Sequence, residues 1–239
     1  MSGFTNILLA NSSSNVDVYW SSVIALLNFD GPDGQTTTVD SGPNAYTITV
    51  NNFELDTAIK KYGTAAGLLD ATANNNCSIV AGASSDWIPN TAFTMEFDYY
   101  PNDVSRIACI CGNRTGSDGW AIYQLVTGEI NVQGYAATTG LFSITSSTNP
   151  TISTWQHVAV TRSTGGTWNM WLNGLNVGTD VESGVVGDTG STAWIIGYDN
   201  STAGRDLDAN IDNFRATNAE RYTAAFTPPT QAHPTEEVS

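Results

Sequence analysis

Glu96 and Asp98 stand two apart in FTMEFDYYP, residues 93–101. Side chains alternate along a β-strand, so this spacing puts both carboxylates on one face, with Thr94 and Tyr100. Paired carboxyl groups are the working parts of glycoside hydrolysis: one protonates the leaving oxygen, and the other attacks the sugar or activates water. A retaining mechanism needs them about 5–5.5 Å apart across the scissile bond. The same face, with Tyr100 as a stacking ring, would also bind a sugar without cutting it. Phe93, Met95, Phe97 and Tyr99 form the opposite, core-directed face. Glu96 and Asp98 are therefore expected as solvated positions away from the core. Glu96, Asp98 and Tyr100 are the candidate glycan contacts.

A second acidic group lies in RDLDANIDNF. On a straight strand Asp206, Asp208, Asn210 and Asp212 share one face, with Leu207, Ala209 and Ile211 on the other. Asp206, Asp208 and Asp212 are candidate Ca²⁺ ligands, since calcium takes several hard oxygen donors. The segment lacks the glycine and closing glutamate of an EF-hand loop. The competing reading gives Asp212 and Asn213 to backbone hydrogen bonds in the last strand. Trp87, Trp120, Trp171, Trp194, Tyr100, Tyr123, Tyr135 and Tyr198 are candidates for a sugar platform or for core packing. Trp155 and Trp168 read as core. His157 has no serine or cysteine nucleophile motif near it, which leaves it as a strand residue.

The elements that carry these residues are strands. Period-2 segments recur, divided by Gly, Asn and Asp turns. GWAIYQLVTGEINVQGYA reads as a hairpin turning near Thr127-Gly128. TWNMWLNGLNVGT is another, because Asn173-Gly174 suits a type I′ turn with positive φ at both positions. AIKKYGTAAGLLD has helical character, but Gly63 and Gly67 argue against a helix.

Only 13% of the 239 residues are charged, and 8 basic against 23 acidic residues leave a net charge of −15. That field repels phosphate backbones, which excludes a nucleic-acid partner. No apolar run approaches membrane-spanning length. MSGFTNILLANSSSNVDVYW lacks the basic start and long apolar centre of a signal peptide. Three cysteines cannot all pair, which suggests synthesis in a reducing cytoplasm. Cys109 and Cys111, two apart, are expected to point the same way from one strand. No long-period repeat is present.

ALLNFDG, KYGTAAGLLD, FTMEFDYY, TWQHVAVTRSTGGTWNMWLNG, AWIIGYD and NIDNFRATNAERYTAAFTPP, in this order, resemble the laminin-G-like jelly rolls of the concanavalin A-like lectin/glucanase superfamily. The resemblance implies an all-β fold, two antiparallel sheets packed as a jelly-roll sandwich. The closing phrase is most similar to domains in bacteriophage tail and virion proteins. Glucanases of the superfamily carry Glu-x-Asp-x-(x)-Glu on one strand; here the last glutamate's place falls on Tyr100 or, with a bulge, Pro101. Half of that chemistry is missing.

The resulting expectation is a non-enzymatic virion structural protein, a head decoration protein or small tail adhesin, made in the host cytoplasm and displayed on the particle. A free carbohydrate-binding module is the alternative, and a glycoside hydrolase the third reading. The expected organisation is an N-terminal arm over 1–20, a jelly roll over 21–226 and an extended tail over 227–239. Phe4, Ile7, Leu8, Leu9, Tyr19 and Trp20 are the candidate anchors of the arm on other virion proteins or on a second copy. A cell-surface glycan is the remaining expected partner, with Ca²⁺ as the cofactor candidate.

Overall fold

The computed structural model describes residues 17–235. Among them are fifteen strands and two short 3₁₀ turns, Trp20–Ser22 and Ser84–Trp87. The strands are β1 (Val23–Leu27), β2 (Thr47–Asn51), β3 (Glu54–Asp56), β4 (Ala66–Asp70), β5 (Asn76–Val80), β6 (Phe93–Pro101), β7 (Ala108–Gly112) and β8 (Gly119–Gln124). They continue with β9 (Ile130–Ala136), β10 (Thr139–Thr145), β11 (Gln156–Arg162), β12 (Thr167–Leu172), β13 (Leu175–Val181), β14 (Ala193–Ile196) and β15 (Asp208–Thr217). One sheet has eight strands, in the order β13-β12-β11-β6-β15-β4-β3, with β1 also paired to β15. The other has seven, in the order β10-β9-β8-β7-β14-β5-β2. Every pairing is antiparallel. The architecture is the expected jelly-roll sandwich.

Alternation explains the core. Phe93, Met95, Phe97 and Tyr99 from β6 are buried between the sheets with Leu207, Ala209 and Ile211. Trp87, Trp120, Trp168 and Trp194 pack there too, with Trp120 touching both Trp168 and Trp194. Four of the seven tryptophans are thus structural, as large apolar rings in a sandwich tend to be. Residues 57–65 form no helix, and Ala66–Asp70 is strand.

Both expected hairpins form. Gly128 turns with φ +92, and Asn173 and Gly174 take φ +51 and +78. Two expectations need correction. A β-bulge between Cys109 and Cys111 turns them to opposite faces: Cys111 joins the main core, while Cys109 packs with Ala121 and Tyr123 outside it. All three cysteines are buried thiols. Trp155 is half-exposed, not core, and lies 5.4 Å from the ring of Tyr100.

Candidate functional site

The outer face of β6 is where the carboxylates were expected to meet water. They do not. Glu96 is 0% and Asp98 2% exposed, and Thr94 is enclosed as well. Their cover is the chain after β15, which runs back along this row. Thr94 Oγ1 donates to Ala219 O at 2.6 Å and accepts the Arg221 amide at 2.9 Å. The Tyr222 hydroxyl then donates to Glu96 Oε2 at 2.6 Å. Phe226 lies flat on Tyr222 at 3.6 Å and edge-on to His157 and Trp171. Its amide donates to Gly174 O, and a Cβ on Gly174 would sit 1.8 Å from Phe226 O. The hairpin glycine is therefore required twice, by its positive φ and by the segment crossing it. Farther on, Tyr62 donates its hydroxyl to Pro229 O, and the His233 amide donates to Asn213 Oδ1.

Glu96 is the hub beneath this strap. Arg215, opposite it on β15, donates Nε and Nη2 to Glu96 Oε1 at 2.9 and 2.7 Å. His157 Nε2 is 3.2 Å from Oε2. Arg215 Nη1 also reaches Asp17 at 2.8 Å, and Arg221 grips both oxygens of Asp17 at 2.9 and 2.7 Å. Two carboxylates and two guanidiniums thus close a buried, charge-balanced set. Burial is the strongest single influence on the Glu96 carboxyl and pushes it up, but the Arg215 guanidinium together with the neighbouring histidines outweighs it and holds the group well below its ordinary range. Asp17 is likewise lowered, since Arg221 and Arg215 outweigh its burial. Burial beside Arg215 pushes His233 well down, so its imidazole is neutral. A carboxylate held ionised by two N–H···O bonds and a phenol has no free geometry for a sugar.

Asp98 and Asp212 form a second kind of site on the same face. They are register partners across β6 and β15. Asp212 Oδ2 accepts the amides of Lys61 and Tyr62, each at 3.0 Å, and so fastens the loop after β3. Among the described residues the one hydrogen-bond contact to the Asp98 carboxylate is from Asn213 Nδ2, at 3.4 Å. Here burial prevails. It raises Asp98 to about 6 and Asp212 to about 7. Asp212 and Asn213 thus make the backbone hydrogen bonds of the competing sequence reading.

The aspartates expected to bind calcium are not brought together. Asp206 accepts the Asn74 amide, Asp212 holds the loop, and Asp208 pairs with Asp70 at the start of β15. Among the described residues no group of three or more His, Cys, Asp or Glu could hold a metal ion. Of the expected glycan contacts, only Tyr100 keeps partial exposure. Among the arm anchors, Tyr19 is 36% exposed beneath Arg221, and Trp20 is half-buried. Phe4, Ile7, Leu8 and Leu9 lie outside the described residues. Asp17, read as part of the arm, is bound to β15. It is the one charged residue among the first 29, and that isolation was the available signal for its role.

The seven-stranded sheet carries its own polar face. Arg205 pairs with buried Asp199 at 2.8 Å, and Asp199 accepts the Tyr123 hydroxyl at 3.2 Å. Arg114 lies 4.0 Å above the Tyr135 ring. Next to Tyr135, where β9 and β10 meet the edge of β13, is an open cavity of about 380 Å³. A larger one, of about 540 Å³, lies between Asp17–Tyr19 and residues 229–234.

Residues 71–224 match a laminin-G-type family model, described as concanavalin A-like lectin/glucanases superfamily. No curated protein matches the chain. Among solved structures, the binding domain of Paraclostridial Mosquitocidal Protein 1 superposes with a TM-score of 0.67 at 12% identity, over 85% of this chain and 50% of that one. The botulinum neurotoxin serotype D binding domain gives 0.66 at 13% identity, over 85% and 50%. The botulinum neurotoxin type G receptor binding domain gives 0.63 at 14%, over 84% and 49%. The chain spans about half the length of these structures, and at such identities the likeness is one of fold.

Proposed function

The chain belongs to the concanavalin A-like lectin/glucanases superfamily, and from that premise we propose that it is a non-catalytic binding and display module. In this reading it is carried on a bacteriophage particle, as a head decoration protein or small tail adhesin, and presents a glycan-binding jelly roll. The observation that carries the non-catalytic half is the enclosure of Glu96. The one glutamate at the glucanase-like position is 0% exposed and saturated by Arg215, His157 and Tyr222. Tyr100 stands where a second acid would be needed, so no pair of carboxyl groups flanks a glycosidic bond. The binding half is supported by the fold relatives, which are a toxin receptor binding domain and a mosquitocidal protein's binding domain. The virion half is supported by the resemblance of NIDNFRATNAERYTAAFTPP to phage proteins.

Two measurements test these halves. Incubation with laminarin and related β-glucans should release no reducing sugar above buffer. Turnover that Glu96→Gln abolishes would overturn the non-catalytic reading. Quantitative mass spectrometry of purified particles should find the chain in many copies. Its absence from particles, with secretion of the free chain, would make it a free carbohydrate-binding module instead.

A further inference from the structure

The cavity beside Tyr135 is built from both sheets. Asn131, Gln133 and Tyr135 alternate on β9, whose Ile130 and Val132 are core, so these three face outward. Ser143 is the register partner of Gln133 on β10, and Gly140 that of Tyr135. Asp180 reaches in from β13, the edge of the other sheet. The two edges meet so closely that a Cβ on Gly178 would lie 2.5 Å from Ile144. A peptide strand therefore has no room to add along this stretch of β10.

The chemistry in the cavity is that of a sugar site. The Tyr135 ring is half-exposed, with Arg114 packed at 4.0 Å fixing its orientation. Opposite its edge is a glycine, so no side chain covers it from β10. The Tyr135 hydroxyl donates to the Gln133 amide oxygen at 3.1 Å, which leaves the Gln133 NH₂ group as a donor. Asp180 accepts the Val181 amide through Oδ1, which leaves Oδ2 as an acceptor. A ring face, a donor and an acceptor converge on a space of about 380 Å³. That is near the lower end of the roughly 300–1,000 Å³ usual for ligand pockets. Among the described residues no cation lines the cavity itself, and Asp180 together with the net charge of −15 disfavours an acidic ligand.

We propose that this seam between β9, β10 and β13 binds a neutral sugar residue, stacked on Tyr135 and held through its hydroxyls by Gln133 and Asp180. The proposal rests on the binding half of the function above and names its site and ligand class. It also moves the glycan contacts from the covered face of β6 to the open face of the other sheet.

The test is an amide-resolved NMR titration of the full chain with maltotriose, laminaritriose, tri-N-acetylchitotriose and trigalacturonate. At least one neutral trimer should give saturable shifts confined to residues 131–143 and 178–181. Asp180→Asn and Gln133→Ala should each weaken that trimer about fivefold, the worth of one hydrogen bond. Tyr135→Phe should retain binding, and Tyr135→Ala should lose it with the remaining spectrum unchanged. Trigalacturonate binding as tightly as a neutral trimer would overturn the ligand class. Saturable shifts mapping to Tyr100 and Trp155 would overturn this site while leaving the binding reading standing. No saturable shift with any neutral trimer overturns both the site and the glycan half, and particle copy number still decides the display half.

Discussion

The outer faces of the two sheets carry similar residue types and use them in opposite ways. On β6 and β15 the outward Thr94, Glu96, Asp98, Asp212 and Arg215 are covered by the strap and the loop after β3. On β9 and β10 the outward Gln133, Tyr135 and Ser143 remain open or half-open. A polar residue facing away from a sandwich core is therefore not by itself a surface residue. What decides is whether another segment crosses the face. Once crossed, each polar group must find a partner, because an unpaired buried charge costs several kcal/mol. The eight-stranded sheet has become a second, ionic core. The seven-stranded sheet has kept a face that can meet a ligand.

Breaking the hub should give the largest effect. Glu96→Ala leaves Arg215 short of its partner and strands the Tyr222 hydroxyl, at a cost of about 3–5 kcal/mol. That equals the cost expected for Phe97→Ala in the apolar core, also about 3–5 kcal/mol. Urea denaturation of both variants checks the comparison. A Glu96→Ala midpoint within error of wild type would mean that the strap is not closed in solution.

This equality marks the limit of what the sequence makes legible. Alternation places Phe97 inward and Glu96 outward, and both placements hold. Alternation carries no information on what lies above Glu96, since Tyr222 and Arg215 are 126 and 119 positions away. The strap itself reads as a Pro- and Thr-rich tail with few apolar residues, the composition of a solvated terminus. Its fixings come from scattered residues, Ala219, Arg221, Tyr222, Phe226, the Pro229 carbonyl and His233, with no pattern that a sequence shows. The Asn173-Gly174 turn is legible because one residue pair specifies it. The bulge that separates Cys109 from Cys111 is not, because no residue type marks it.

The next effect isolates one strap contact. Tyr222→Phe keeps the ring stack on Phe226 and removes the phenol from Glu96. A hydrogen bond to a charged group is worth about 1.5–3 kcal/mol, and the denaturation midpoint should fall accordingly. Hydrogen exchange should speed up at the Phe226 and His233 amides and not along β9. Acceleration at β9 as well would mean that the two faces open as one unit.

A pH effect of similar or smaller size should come from Asp98 and Asp212. Both have folded pKa values raised above the ordinary 3.8, to about 6 and about 7. Between the ordinary value and the raised one the unfolded chain is ionised and the folded chain is not, so stability falls as pH rises through that window. Depressed His233 works in the other direction, favouring the folded state as pH rises toward 6.5. Asp212→Asn removes one titration and isolates it. Relative to wild type the variant should gain stability from about pH 4 to about pH 7, by at least about 1.4 kcal/mol, the worth of one pKa unit. A constant difference across that range would mean that Asp212 is solvated.

The smallest effect belongs to the open face. Gln133 is half-exposed, and among the described residues its side chain accepts one hydrogen bond, from the Tyr135 hydroxyl at 3.1 Å. Gln133→Ala returns that hydroxyl to water, so the exchange of partners is nearly even. Stability should stay within about 0.5 kcal/mol of wild type, as for surface changes away from caps, cores and networks. The contrast with Glu96→Ala is the point of the measurement: both residues face away from the core, and only one lies under another segment. A loss of more than about 1 kcal/mol at Gln133 would show that this face too supports the fold. The open sheet would then be a second scaffold, and a sugar would have to compete with it for the same amide.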